Sequence, residues 1–212
     1  AIDRAGFVGE DGATHAGIFD LTYLRCIPNL VVMAPSNENE CWQMLNLGYS
    51  HKGPVAIRYP RGNAPGENIN KDKKEIELGK ANILIEGTDI TIVSYGIGIK
   101  HSLMAIELAK DFNISVELID LRSLRPLDYN TVFESIKKTN RCITVEECFP
   151  VCSIGNHLSA SIMENVFDYL DAPVINCTGK DVPMPYAKNL ELAALITPKE
   201  ILEKIKKVTN LD

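Results

Sequence analysis

Between Asp3 and Gly17 the chain places Arg4, Asp11 and His15 among Gly6, Gly9, Gly12 and Gly17. A guanidinium that keeps its charge, a carboxylate and an imidazole that exchanges protons near neutral pH suit a small anionic substrate undergoing proton transfer. The glycines recur too closely for a helix or strand to form, and glycine takes backbone angles closed to other residues. The stretch is therefore expected to be a shaped active-site loop. The same residue types also fit a surface loop whose Asp and His cap backbone groups. A second arginine, Arg61, closes the run Arg58-Tyr59-Pro60-Arg61-Gly62 directly after a short apolar segment. It is expected at a strand terminus.

The elements that must position these residues follow from periodicity and punctuation. Residues 1–2 are expected to finish a buried strand, which puts the loop at the carboxyl edge of a parallel sheet, where open α/β folds bind ligands. If Arg61 also ends a strand on that side, Arg4 and Arg61 converge on one anion site. Residues 19–27 suggest a short helix stopped by Pro28, and residues 30–34 an apolar strand. Pro35-Ser36 then starts a helix with Ser36 as its cap and Cys41, Met44, Leu45 and Gly48 on one buried face, leaving Trp42 off that stripe. Residues 55–58 form a further strand.

From residue 64 to 78 the composition turns to Pro, Gly, Asn and mixed charge without apolar period, as in an interdomain linker. Beyond it strands and helices alternate. Strands are expected at 83–85, 90–93, 116–119, 142–145 and 174–177. Between them lie a helix facing inward with Ile99, Leu103 and Ile106, one capped by Asp128 and carrying Val132 and Ile136, and one striped by Ile154, Leu158 and Met163. Thr197, Pro198 and Glu200 mark the start of a last helix packed through Ile201, Ile205 and Val208. This is the pattern of an α/β protein with a mainly parallel sheet.

Composition narrows the function. The 212 residues, 45% of them hydrophobic, allow one or two globular domains with real cores. A formal charge of -6 with no basic cluster argues against a nucleic-acid partner, whose phosphates would demand a Lys/Arg stripe. No apolar run approaches the roughly 20 residues that span a bilayer, and no charged-then-apolar leader opens the chain, so a cytoplasmic location without membrane attachment is expected. The opening Ala1-Ile2, with no Met, suggests a start within a domain. Cys26, Cys41, Cys142, Cys148, Cys152 and Cys177 sit in apolar surroundings and are expected to be reduced. Cys148, Cys152 and His157 lack a fourth ligand for a closed zinc site. Gly96 and Gly98 lack the third glycine and acidic partner of a nucleotide-binding turn. Glu146 and Glu147 face opposite ways on an extended chain and are expected to be structural or interface residues.

Five ordered runs carry a resemblance: Asp3-Arg4-Ala5-Gly6, Asp11-Gly12 with Thr14-His15, Tyr23-Leu24-Arg25-Cys26-Ile27-Pro28, Met33-Ala34-Pro35-Ser36 and Arg58-Tyr59-Pro60-Arg61-Gly62. Over these, residues 1–66 resemble the 1-deoxy-D-xylulose-5-phosphate synthases of the transketolase superfamily. Residues 79–212 resemble the carboxyl-terminal domain of the β subunit of pyruvate dehydrogenase E1, through runs such as Thr144-Val145-Glu146-Glu147 and Asp181-Val182-Pro183-Met184-Pro185-Tyr186. The resemblance implies the later part of a pyrimidine-binding domain (1–66), a linker (67–78) and a transketolase carboxyl-terminal domain (79–212). It implies thiamine diphosphate and Mg2+, bound mostly by segments outside this chain, so the chain alone should be inactive. Pyruvate and glyceraldehyde 3-phosphate are the implied substrates, with CO2 released on the way to isoprenoid precursors. Arg4 and Arg61 then hold the aldehyde's phosphate, Asp11 joins the same network, and His15 serves the reaction centre. A homodimer is implied. Two alternatives stay open, an E1 β subunit partnered by an α subunit and a non-catalytic dimerisation module.

Overall fold

The computed structural model describes residues 1–12, 14–69, 76–151 and 153–210. After a short 3-10 turn at Gly9–Asp11 come α1 (Asp20–Leu24), β1 (Val31–Met33), α2 (Glu38–Ser50) and β2 (Val55–Ile57). The chain continues through β3 (Asn82–Ile85), β4 (Ile90–Ser94), α3 (Ile97–Ala109), β5 (Val116–Asp120), β6 (Ser123–Arg125), α4 (Tyr129–Thr139) and β7 (Cys142–Val145). It ends with α5 (Ile154–Val166), β8 (Ile175–Cys177), α6 (Lys188–Ala194) and α7 (Pro198–Val208).

The larger sheet has the order β3-β5-β4-β7-β8, and only the β3 pairing is antiparallel. Its central strands are buried along their whole length, Thr91, Glu117 and Thr144 among their apolar residues, because helices cover both faces. α3 and α7 pack together on one side, where Ile90, Ile92, Leu118, Ile143, Ile201 and Ile205 form a core. α4 and α5 cover the other.

The smaller sheet has the order β2-β1-β6. β1 runs parallel to β2, and β6 joins β1 antiparallel through Val32 with Arg125 and Met33 with Ser123. β6 was not expected from the sequence. Its three residues show no alternation of their own, and only the edge of β1, nearly a hundred residues earlier, makes them a strand. Ile2 extends this sheet, donating its amide to Ile57 O at 2.8 Å and accepting from Tyr59 N at 2.9 Å. The glycine-rich loop therefore leaves the sheet beside the end of β2.

The apolar core around Val32, Ala34, Val93, Ile119, Leu124 and Ile136 draws on both sheets. The segment expected to be a linker is partly docked: Ile76 is buried, and Leu78 packs with it against Val31, Met33 and Met44. Residues 70–75 lie outside the described residues.

Four local expectations are corrected. Asn37, not Ser36, caps α2, since Asn37 is extended and its side chain accepts from Glu40 N at 2.9 Å. Leu45, Leu103 and Met163 are exposed. Their helices turn Gln43 and Met44, Ser102 and Ala105, and Ile162 inward instead. In α2 the buried face combines Met44 with polar Asn39, Glu40 and Gln43, and Glu40 pairs with Arg122 at 2.6 Å across the junction with the larger sheet. The cap of α4 is as expected, with Asp128 Oδ1 accepting from Thr131 N at 3.2 Å. So is the start of α7, where Thr197 and Glu200 exchange the two bonds of a capping box. Among the described residues no helix is long and apolar enough to cross a membrane.

Candidate functional site

The loop is closed at its neck. Ala5 and Gly6 both bridge to Gly17, so the chain between them forms a compact excursion whose ends touch. Below the neck lies a buried ion pair that the sequence reading had not assigned: Arg58 Nε donates to Asp20 Oδ1 at 2.7 Å, and Arg58 Nη2 donates to Gly17 O at 2.9 Å. Burial raises the Asp20 pKa above the ordinary carboxylate value, with Arg58 opposing that rise. The pair ties the returning limb of the loop to the end of β2, and removing one partner would strand a buried charge.

Above the neck the structure brings together three of the four sequence-selected residues. Arg4 Nε lies 2.5 Å from Asp11 Oδ2, and Arg61 Nη1 lies 2.9 Å from Asp11 Oδ1. The two guanidinium groups thus converge on the two oxygens of one carboxylate, from opposite ends of a 57-residue separation (61 minus 4). Asp11 reaches them from the 3-10 turn, whose last amide donates to Val8 O at 3.3 Å. Arg4 is also 2.8 Å from Asp3, and Arg61 pairs with Glu10. The bond to Asp11 raises the pKa of Arg4 further, so its charge is permanent. Arg61 is 40% exposed and its Glu10 partner 66%, which leaves this edge of the cluster open to solvent.

His15 stands apart from the three. It is exposed, its amide donates to Gly12 O at 3.1 Å, and among the described residues its ring pairs with Thr14, Oγ1 to Nδ1 at 2.9 Å. With the Thr14 hydroxyl donating to Nδ1, Nε2 would carry the ring proton. The loop thus carries an arginine pair at Asp11 and, apart from it, an imidazole at His15.

The larger-sheet unit lies against this loop. Glu147 Oε1 accepts from Phe7 N at 3.1 Å, and Glu191 Oε1 accepts from Gly9 N at 3.0 Å. Phe7 and Ile18 pack with Ala194. Glu146 is used differently. Its carboxylate accepts from the first amides of α5, Ile154 N at 3.2 Å and Gly155 N at 2.8 Å, and from Tyr95 Oη at 2.7 Å. A helix start that would otherwise attract an anion is thereby filled by a side chain. Burial, followed by the charge of Glu146, pushes the Tyr95 hydroxyl well above its ordinary pKa.

The two cysteines on the larger sheet are poor nucleophiles. Cys142 and Cys177 are buried and their thiols are pushed up to about 12, mainly by burial, so the thiolate is suppressed. Cys152 lies outside the described residues. A cavity of 350 Å³ opens beside the loop between Phe19, Phe149 and Met184, and its walls are mostly apolar.

An α/β unit whose strand ends carry a shaped, arginine-bearing loop, backed by a second α/β unit of mainly parallel strands, defines a two-domain α/β protein of the open-sheet class. Residues 1–67 match the model of the transketolase pyrimidine binding domain, and residues 79–201 match that of the transketolase C-terminal domain. The chain belongs to the transketolase family. It is 41% identical over 192 residues to the 1-deoxy-D-xylulose-5-phosphate synthase of Hahella chejuensis, covering 91% of this chain and 29% of that protein. With the synthase of Mannheimia succiniciproducens it shares 48% over 147 residues, 69% of this chain and 23% of the relative. The chain therefore spans less than a third of these relatives, and the 192-residue alignment carries the synthase likeness into the second unit. Among solved structures, a split-gene transketolase, described as an inactive beta4 tetramer, superposes with a TM-score of 0.83 at 27% identity, over 99% of this chain and 65% of that one. A transketolase mutant from Pichia stipitis shares the fold, with a TM-score of 0.67 at 19% identity over 95% of this chain and 28% of that one.

Proposed function

We propose that this chain forms the acceptor-binding part of a 1-deoxy-D-xylulose-5-phosphate synthase, which joins a two-carbon unit from pyruvate to glyceraldehyde 3-phosphate with release of CO2. The observation that carries this reading is the convergence of Arg4 and Arg61 on Asp11. Two guanidinium forks fixed a carboxylate's width apart can hold a phosphate by charge-assisted bonds. The exposed Arg61–Glu10 pair is of a kind worth about 0–1 kcal/mol, so a dianion can displace it. Asp11 remains between the arginines and sets their spacing. His15 Nε2–H then hydrogen-bonds the aldehyde oxygen as it gains charge, an effect whose loss typically costs about 10²-fold in rate.

Thiamine diphosphate, which the family implies, supplies the carbanion chemistry. Among the described residues no three His, Cys, Asp or Glu side chains converge to hold a metal ion. These residues do not fit as the site of a magnesium-bound pyrophosphate, and the proposed work of this chain is to bind and orient the acceptor. A homodimer working in the cytoplasm completes the reading, and the free thiols of Cys26, Cys41, Cys142, Cys148 and Cys177 fit that compartment.

Steady-state kinetics of the full-length enzyme test it. Arg61→Ala is expected to raise KM for glyceraldehyde 3-phosphate roughly 10- to 100-fold, the equivalent of about 1.5–3 kcal/mol for a hydrogen bond to a charged group, with KM for pyruvate little changed. His15→Ala is expected to lower kcat instead. An Arg61→Ala enzyme with an unaltered KM for the aldehyde would overturn the assignment. It would favour the E1 β reading, in which this arginine has no phosphate to bind.

A further inference from the structure

The anion-site loop is held by the other domain at two backbone amides, and each acceptor is a buried carboxylate. Glu147, at the end of β7, takes the Phe7 amide at 3.1 Å, while its second oxygen lies 3.7 Å from His101 Nε2 on α3. Glu191, on α6, takes the Gly9 amide at 3.0 Å, while its second oxygen lies 3.2 Å from Lys188 Nζ. Gly9 opens the 3-10 turn that carries Asp11, and that turn has no side-chain cap of its own. Glu191 fills that role from 182 residues away. The approach is close enough to dictate residue type on the loop. A Cβ at Gly6, whose φ is +79°, would collide with Glu147 Oε1, and one at Gly9 would stand 2.5 Å from Pro185 O.

We propose that Glu147 and Glu191 are positioning residues for the acceptor site, through which the carboxyl-terminal domain sets where Asp11 and its two arginines stand. An amide and a carboxylate buried together and bonded cost little, whereas a buried amide left alone seeks a new partner. Loss of Glu191 therefore lets the turn unwind and carries Asp11 away from the Arg4–Arg61 axis. The dependence runs through geometry, since neither glutamate touches the arginines. This inference rests on the acceptor-site reading above for its kinetic consequence, but not for its structural one.

Two measurements on the full-length protein separate the two. In Glu191→Ala, amide hydrogen exchange across residues 7–12 is expected to accelerate at least about tenfold, and KM for glyceraldehyde 3-phosphate to rise severalfold while KM for pyruvate holds. Glu191→Gln keeps an acceptor oxygen and is expected to restore both. Gly9→Ala, whose Cβ would crowd both Pro185 O and the Glu191 side chain and so force the turn off this contact without removing either glutamate, is expected to repeat the Ala phenotype. Exchange at residues 7–12 that stays at the wild-type rate in both Glu191→Ala and Gly9→Ala would overturn the clamp. Faster exchange with an unchanged aldehyde KM would uphold the clamp and overturn the acceptor-site reading.

Discussion

Asp120 closes β5 with its carboxyl group almost wholly out of water, accepting from Arg122 N at 3.0 Å. Burial raises its pKa to about 6, Ser36 and the Arg122 amide oppose the rise, and the charge of Glu40 adds to it. A carboxyl group whose folded pKa exceeds its unfolded value of about 3.9 binds more protons when folded. Its contribution to stability is therefore greatest below pH 4, declines as pH rises to 6 and stays low above that. A shift of about two units corresponds to on the order of 3 kcal/mol. Asp120→Asn is expected to flatten this part of the pH dependence, seen as a gain in urea midpoint at pH 7 relative to pH 4.5. An unaltered difference between the two pH values would show that Asp120 is not the group responsible. Nothing near Asp120 in the sequence signals this, because its surroundings come from α2 and the Arg122 turn. Arg4, Asp11, His15 and Arg61 drew notice in the sequence for the opposite reason, since each sits in a short polar run between glycines or beside a proline. The convergence of Arg4 and Arg61 with Asp11 was expected, but the separate standing of His15 was not, because it depends on where the loop folds back.

At the scale of elements, legibility follows how far a segment's stability is local. α7 was readable to the residue because its start signals and apolar stripe are contiguous, and Thr197 Oγ1 accepts from Glu200 N at 3.2 Å as those signals require. Thr197→Ala is expected to lower unfolding free energy by about 1 kcal/mol with the denaturant slope unchanged, as measured by urea titration. A loss below about 0.3 kcal/mol would mean that packing of Ile201 and Ile205 alone holds the helix end. α6 stands at the other extreme. Its seven residues have no side-chain cap, its Leu190 and Leu192 are exposed, and it is placed by Glu191 on the loop and by Ala194 against Phe7. The misplaced inner faces of α2 and α3 share one cause. Small or polar residues, Gln43 and Ser102 among them, turn inward where another element approaches closely, and an apolar-periodicity count passes over them.

At the scale of the whole molecule, the linker composition of residues 64–78 suggests two units that could unfold separately, and the packing argues for one. β6 leaves the larger unit to complete the smaller sheet, and the core around Leu124 takes side chains from β1 as well as from β4, β5 and α4. Glu147, Glu191 and the Glu40–Arg122 pair add polar ties across the same junction. Neither unit can open without exposing part of the other's core, so equilibrium unfolding is expected to be a single transition. The chain carries its own reporter, since Trp42, its one tryptophan, lies on α2 in the smaller unit, whereas most of the helix signal comes from the larger. Trp42 fluorescence and far-ultraviolet circular dichroism should therefore trace superimposable urea curves. Leu124→Ala removes a fully buried side chain at the seam and is expected to cost about 2–5 kcal/mol. Both curves should move together by that amount. If the Leu124→Ala fluorescence curve shifts while the dichroism curve stays, the seam is weak and the two units unfold on their own.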